Sequence, residues 1–164
     1  MSTSVFVCRV VVSGETRDYA TVIPPETAFA TGLPADAIVG ILLEPAAEGQ
    51  APSVDAFAEN PAFRALLDEV VGRHAPDEPA IRDEAVRLGS GYVYVIDGRT
   101  PDPAGQVPAE DVVGAFQVRE GTIVRDPYLP NPRHQLLSEN GFFRLGDALH
   151  QRLLEEIARR RSDA

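Results

Sequence analysis

General acid–base chemistry needs titratable groups within reach of one another, and the 164-residue chain holds few candidates. Its three histidines, His74, His134 and His150, make neither an HxH nor an HExxH pattern, so no metal site is expected. His134 alone keeps suggestive company. The stretch YLPNPRH at 128–134 gathers Tyr128, Asn131, Arg133 and His134 in a segment stiffened by proline. A pinned backbone lowers the ordering cost of a binding site, although the same prolines would serve simply to cross a sheet edge.

Asp97 and Arg99 form a second set at the end of the run YVYVID, with Asp102 in the loop beyond. Strand ends are where sites assemble in layered folds. The competing reading is a turn, in which DGRT lets the Asp97 carboxylate accept a local Asx-type bond. Burial of Asp97 beside His134 would decide against the simple turn. On the enzymatic reading, Asp97, His134 and Arg133 are the catalytic candidates of a small hydrolase or transferase whose site lies between two halves of the chain. The binding candidates are Tyr128, Asn131, Arg133, His134, Arg99 and Arg144.

Other familiar signatures are missing. No serine lies in GxSxG, and GSG at 89–91 precedes a strand, the reverse of a nucleophile elbow. No GxGxxG opens a helix, and no cofactor motif is present. All fifteen basic residues are arginine, which excludes a Schiff-base lysine and a P-loop lysine together. Cys8, the single cysteine, sits in mid-strand on an apolar face and reads as packing, and it can form no internal disulfide.

With a net charge of −10, binding to nucleic-acid phosphates works against repulsion, whereas a basic protein partner is favoured by steering. The opening lacks a basic leader, and no window approaches the roughly 20 apolar residues that span a bilayer, so a cytoplasmic protein without membrane contact is expected. These exclusions favour a non-enzymatic, acidic binding, adaptor or assembly protein acting through protein–protein contacts. A homodimer is compatible with that reading.

The elements that must position these residues can be read from periodicity. VFVCRVVV at 5–12 and YVYVID at 92–97 are apolar on both faces and read as interior strands. DYATVI at 18–23 reads as a hairpin partner and AIVGILLE at 37–44 as a buried strand. Asn60 and Pro61 open a helix over 61–73, with Phe63, Leu66, Leu67 and Val70 on its apolar stripe. A second helix ends at Gly89. VVGAFQV and TIV flank REG as a hairpin, and RDPYLPNPRH reads as irregular because of its prolines. A last amphipathic helix starts near Asp147, with Glu155–Arg159 and Glu156–Arg160 as i,i+4 pairs.

PADAIVG at 34–40 is echoed by PAEDVVG at 108–114, and ENPAFR at 59–64 by ENGFFR at 139–144, in the same order. The expectation is an α+β fold in one compact domain, with an internally duplicated unit of strands followed by a helix. The halves would span 4–74 and 91–161, joined by a connecting helix at 75–90. Their strands would form a mixed or antiparallel sheet, shared or stacked, with helices packed on it.

Overall fold

Two residues at positive φ, Ser13 (52°) and Gly14 (82°), close the first hairpin between β1 (Phe6–Val12) and β2 (Glu15–Thr21). That conformation matches the right-handed twist of the paired strands. The computed structural model describes residues 5–44, 52–99 and 107–162. After β2 come α1 (Pro25–Thr31), a single 3₁₀ turn at Ala35–Ala37 and β3 (Ile38–Leu42). A second such turn, Val54–Ala56, leads into β4 (Phe57–Glu59).

The helix α2 (Pro61–His74) begins where the Asn60 Oδ1 accepts the Ala62 N–H at 3.1 Å, and proline fills its first turn. After a 3₁₀ turn at Ala75–Asp77, α3 (Pro79–Leu88) ends at Gly89, whose φ of 78° suits glycine. The second half continues with β5 (Gly91–Ile96), a 3₁₀ turn at Ala109–Asp111, β6 (Val112–Arg119) and β7 (Thr122–Pro130). A short ladder of β8 (Leu137–Ser138) and β9 (Gly141–Phe142) precedes α4 (Asp147–Ser162).

Every ladder is antiparallel: β1-β2-β3-β4, β5-β6-β7 and β8-β9. The fold is therefore α+β, with the strands divided between separate sheets rather than shared in one. One hydrophobic cluster draws on both halves, joining Val39, Phe63, Leu67 and Val71 to Val113, Phe116, Phe143 and Leu153. The Phe63 and Phe143 rings sit 5.6 Å apart at its centre. Each side chain so buried contributes about 1.5–3 kcal/mol relative to exposure.

Three expectations need correction. β5 is an edge strand, not an interior one: Val93 and Val95 point into the core, while Tyr92, Tyr94 and Ile96 remain outside. β1 is likewise an edge, with Val7 and Val11 exposed. The proline-rich stretch is a strand as far as Pro130, because β7 is also an edge, where a missing N–H breaks no ladder. Its register against β6 shifts between Ala115 and Gln117. On α4, Glu156 takes both Arg159 (2.5 Å) and Arg160 (3.1 Å), and Glu155 pairs with Arg152 at 3.4 Å.

PADAIVG and PAEDVVG fold alike. Each is a proline, one 3₁₀ turn and a strand, and each is clamped by an asparagine placed just after a later strand. The Asn60 Nδ2 donates to the carbonyls of Ala35 (3.1 Å) and Ile38 (2.9 Å). The Asn131 Nδ2 donates to those of Ala109 and Val112, both at 2.8 Å. The third residue of each strand is a glycine, Gly40 or Gly114, with the ring of Phe57 or Tyr128 lying where a Cβ would stand.

The EN..FR phrases fold differently. Residues 59–64 end β4 and open α2, whereas 139–144 form the β8-β9 turn and its exit. The likeness of the halves is thus local, and the first sheet carries a fourth strand that the second lacks.

Candidate functional site

The ladder between β5 and β6 shifts register between Val95 and Ile96, and the next residue, Asp97, turns inward. Its N–H donates to the Asp111 carbonyl at 2.8 Å, and its side chain is fully buried. Oδ1 accepts the backbone N–H groups of Arg99 (3.1 Å) and Arg144 (2.8 Å). Oδ2 lies 3.0 Å from both the His134 Nε2 and the Arg99 Nη2. The Asx turn expected at DGRT is real, and it coexists with a second role for the same carboxylate.

Arg99 is the hub. Its Nη1 donates to the Ser138 Oγ (3.1 Å) and to the Gly141 carbonyl (2.7 Å). Nη2 donates to the Gln135 carbonyl and, at 3.3 Å, to that of Glu110. Nε faces the Asp111 Oδ1 at 3.1 Å as an ion pair without hydrogen-bond alignment. Asp111, fully buried, also accepts the Ser138 Oγ–H and an Asn140 side-chain N–H, each at 3.2 Å. A guanidinium between two buried carboxylates, with its hydrogen bonds made to surrounding carbonyls, meets the condition under which buried charge is tolerated.

The first half reaches this cluster through α2. Arg64 donates from Nη1 to the His134 Nδ1 at 2.7 Å and from Nη2 to the His134 carbonyl at 2.8 Å. The same Nη2 pairs with Glu59 at 3.1 Å, and the Glu59 Oε1 accepts the Leu136 N–H at 2.7 Å. An arginine N–H can only donate, so Nδ1 accepts from Arg64. Nε2 lies 3.0 Å from the Asp97 Oδ2 and 3.3 Å from the Arg99 Nη2. Both ring nitrogens are committed, and the nearby hydroxyl, Ser138, donates to Asp111 rather than to the histidine.

Asp97, Arg99 and His134 therefore converge as the sequence allows. The other candidates do not join them. Arg144 is exposed and contributes only backbone groups, its N–H to Asp97 and its carbonyl to the Gly98 N–H. Arg133 is exposed too, its backbone N–H meeting the Asn131 Oδ1 at 3.0 Å. Asn131 is the clamp described above. Tyr128 packs 5.0 Å from the Phe116 ring and donates to the Val113 carbonyl at 3.3 Å, and burial holds its phenol above the ordinary range. Asp102 lies outside the described residues.

Asp111 and Ser138 were not foreseen, and Arg64 and Asn140 stood out only as members of the repeated EN..FR phrases. Asp111 has a readable signal, because PAED sets it where PADA has the buried Ala37. An open cleft of about 460 Å³, lined by Asp55, Glu110, Asp111, Ser138, Glu139 and Asn140 among others, reaches the edge of the cluster but not Asp97 or His134. Among the described residues no group of histidine, cysteine or carboxylate side chains is arranged to hold a metal ion. No helix there is long and apolar enough to cross a membrane.

Comparison with protein families, with curated proteins and with solved structures finds no match to this chain.

Proposed function

We propose that the chain is a non-enzymatic binding or assembly protein that acts through protein–protein contacts on the outer face of the β5–β7 sheet. The observation that carries this reading is where the two kinds of side chain have gone. The groups able to do acid–base work are sealed and hydrogen-bonded to one another, whereas Tyr92, Tyr94, Ile96 and Leu129 stand open to solvent on one sheet. Tyrosine supplies large, stiff contact area with a polar tip, and exposed apolar clusters of this kind mark interaction surfaces.

The excess of negative charge steers a basic partner toward the molecule, but the rows beside Tyr92 and Tyr94 are Gln117–Val124 and Ala115–Leu129, with no carboxylate among them. Contact through this face selects by apolar fit. The enzymatic reading has one observation in its favour, the 3.0 Å approach of Asp97 to His134 within the second half, where Arg64 of the first half meets the ring. Against it stand the closure of that pair and the commitment of both ring nitrogens.

The test is to immobilise the intact chain and its Tyr94→Arg variant and to pass native lysate over both. Retention of the same partner by wild type, with loss in the variant at unchanged circular dichroism, is the expected result. Equal retention by both, or an esterase or phosphoesterase activity that disappears in His134→Ala, would overturn the proposal.

A further inference from the structure

We infer that Asn140 is a self-modification site, where the chain's own backbone converts an asparagine into a carboxylate beside the sealed cluster. The sequence has three asparagines, and two of them, Asn60 and Asn131, precede prolines. A proline nitrogen carries no hydrogen and cannot close a ring on the preceding side chain. Asn140 precedes Gly141, whose nitrogen bears a hydrogen and whose α-carbon bears no side chain to shield it. A Cβ built at Gly141 would meet nothing within 4 Å, and Asn140 is exposed, so the approach is open. The pair lies at the turn between β8 and β9, a ladder of two residues per strand that opens more readily than the larger sheets.

The Gly141 nitrogen, losing its proton, attacks the Asn140 Cγ; the Cγ–Nδ2 bond breaks, ammonia leaves with that proton, and a succinimide ring closes. Water then adds to one of the two ring carbonyls. Opening at the side-chain carbonyl gives aspartate at 140. Opening at the main-chain carbonyl gives isoaspartate, in which the backbone runs through the side chain and is one carbon longer. Water is the only co-reactant, and nothing is oxidised or reduced. The comparable dipeptide Asp97–Gly98 is closed to this chemistry: its carboxylate is fully buried and hydrogen-bonded, and the Gly98 N–H is given to the Arg144 carbonyl at 2.8 Å.

The product matters because of where the amide sits. The Asn140 Nδ2 donates to the Asp111 Oδ2 at 3.2 Å, its backbone N–H meets the Ser138 Oγ at 3.2 Å, and the Gly141 carbonyl takes the Arg99 Nη1 at 2.7 Å. The bond to Asp111 restrains the amide, so the reaction runs from molecules in which the turn has opened. Aspartate then puts a carboxylate oxygen where the donor stood, in a cleft that Asp55, Glu110 and Glu139 also line. Asp111 loses a donor and gains a like charge. Isoaspartate lengthens the turn and draws the Gly141 carbonyl away from Arg99. Either product loosens the Asp97–Arg99–Asp111 cluster, so the stability of the folded chain falls irreversibly with age.

The test is to age the purified, folded chain at mildly alkaline pH and body temperature and to map its peptides by mass spectrometry. Asn140 should exchange an NH for an oxygen atom, faster as pH rises, while Asn60 and Asn131 stay intact. Asn140→Gln should convert far more slowly, since its ring would be larger by one atom. The urea midpoint of the aged chain should fall by about 0.5–1 M, as that of fresh Asn140→Asp does, and aged Asn140→Gln should keep its own. The aged chain, folded before it converts, gives this reading whether or not Asn140→Asp folds. A folded chain whose Asn140 stays intact, in a buffer where a peptide of residues 136–144 converts, overturns the site. Full conversion with an unchanged midpoint overturns its link to the cluster.

Discussion

Replacing Arg99 with methionine removes the one cation that sits between Asp97 and Asp111 while keeping most of its volume. The guanidinium lies 3.0 Å from one carboxylate and 3.1 Å from the other, with 2% of the side chain exposed, so solvent cannot take its place. Breaking a buried pair from one side costs about 3–5 kcal/mol, because the remaining charge is left unpaired. Here two carboxylates are stranded, and the Gly141 and Gln135 carbonyls lose a donor as well. We take about 4 kcal/mol, against a total stability of about 5–15 kcal/mol for a domain.

With a urea slope of about 2 kcal/mol per molar, the unfolding midpoint should fall by about 2 M, read by circular dichroism. Arg133→Met, on the exposed surface, should shift the free energy by less than about 0.5 kcal/mol. The first half suggests a further comparison. The Val22 N–H bonds the Ala37 carbonyl as the Asp97 N–H bonds that of Asp111, so Val22 and Ala37 hold the matching positions without charge. Asp97→Val and Asp111→Ala added to Arg99→Met should therefore restore part of the loss, since no unpaired charge remains. Full restoration is not expected, because the Arg99 and Arg144 N–H groups lose the Asp97 Oδ1. A midpoint shift below about 0.5 M for Arg99→Met, or a triple variant weaker than the single one, would refute the structural role of the cluster.

Gly114→Ala should cost about 1–3 kcal/mol, because the new methyl group would collide with the Tyr128 hydroxyl and ring and force them off Phe116; urea unfolding reads it. Asn131→Ala and Asn60→Ala should each cost about 1–3 kcal/mol, the first loosening Ala109–Asp111 and the second loosening Ala35–Ala37 and uncapping α2, as thermal melts would show. Burial, partly opposed by Arg64 and His134, raises the Asp68 carboxyl above its ordinary range, so folding favours its protonated form. Its ionised form therefore weakens the fold at neutral pH and ceases to do so as pH falls below the ordinary carboxylate range. Asp68→Asn should accordingly be more stable than wild type at pH 7, the difference closing in acid; a difference that widens in acid would contradict the assignment.

Local chemistry was legible wherever one residue decides the conformation. Asn60 and Pro61 announced α2, Gly89 ended α3, and the Asx bond of Asp97 followed from its turn. What could not be read was which faces find cover. YVYVID is apolar on both sides whether it lies inside a sheet or on its edge, and only the strand order distinguishes the two. The proline-rich loop misled for the same reason, since proline forbids an interior strand but not an edge one.

The near-repeat ENPAFR and ENGFFR drew attention to Asn140, yet the residue that does the work of Asn60 is Asn131, and the shared signal is the Asn-Pro dipeptide at 60–61 and 131–132. Asp97 and His134 could be paired in advance because both are titratable and both flank a strand. Arg64 could not, because its approach to His134 depends on how α2 packs against the second half, a contact 70 residues apart in the chain.

The division of labour between a sealed polar cluster and an open apolar sheet is tested most directly by comparing Tyr94→Arg with His134→Gln in one retention experiment. Tyr94→Arg should keep its wild-type unfolding midpoint and lose association, whereas His134→Gln should lose stability and, at a temperature where it is folded, keep association. A folded His134→Gln that no longer associates, beside a Tyr94→Arg that associates as wild type does, would contradict it.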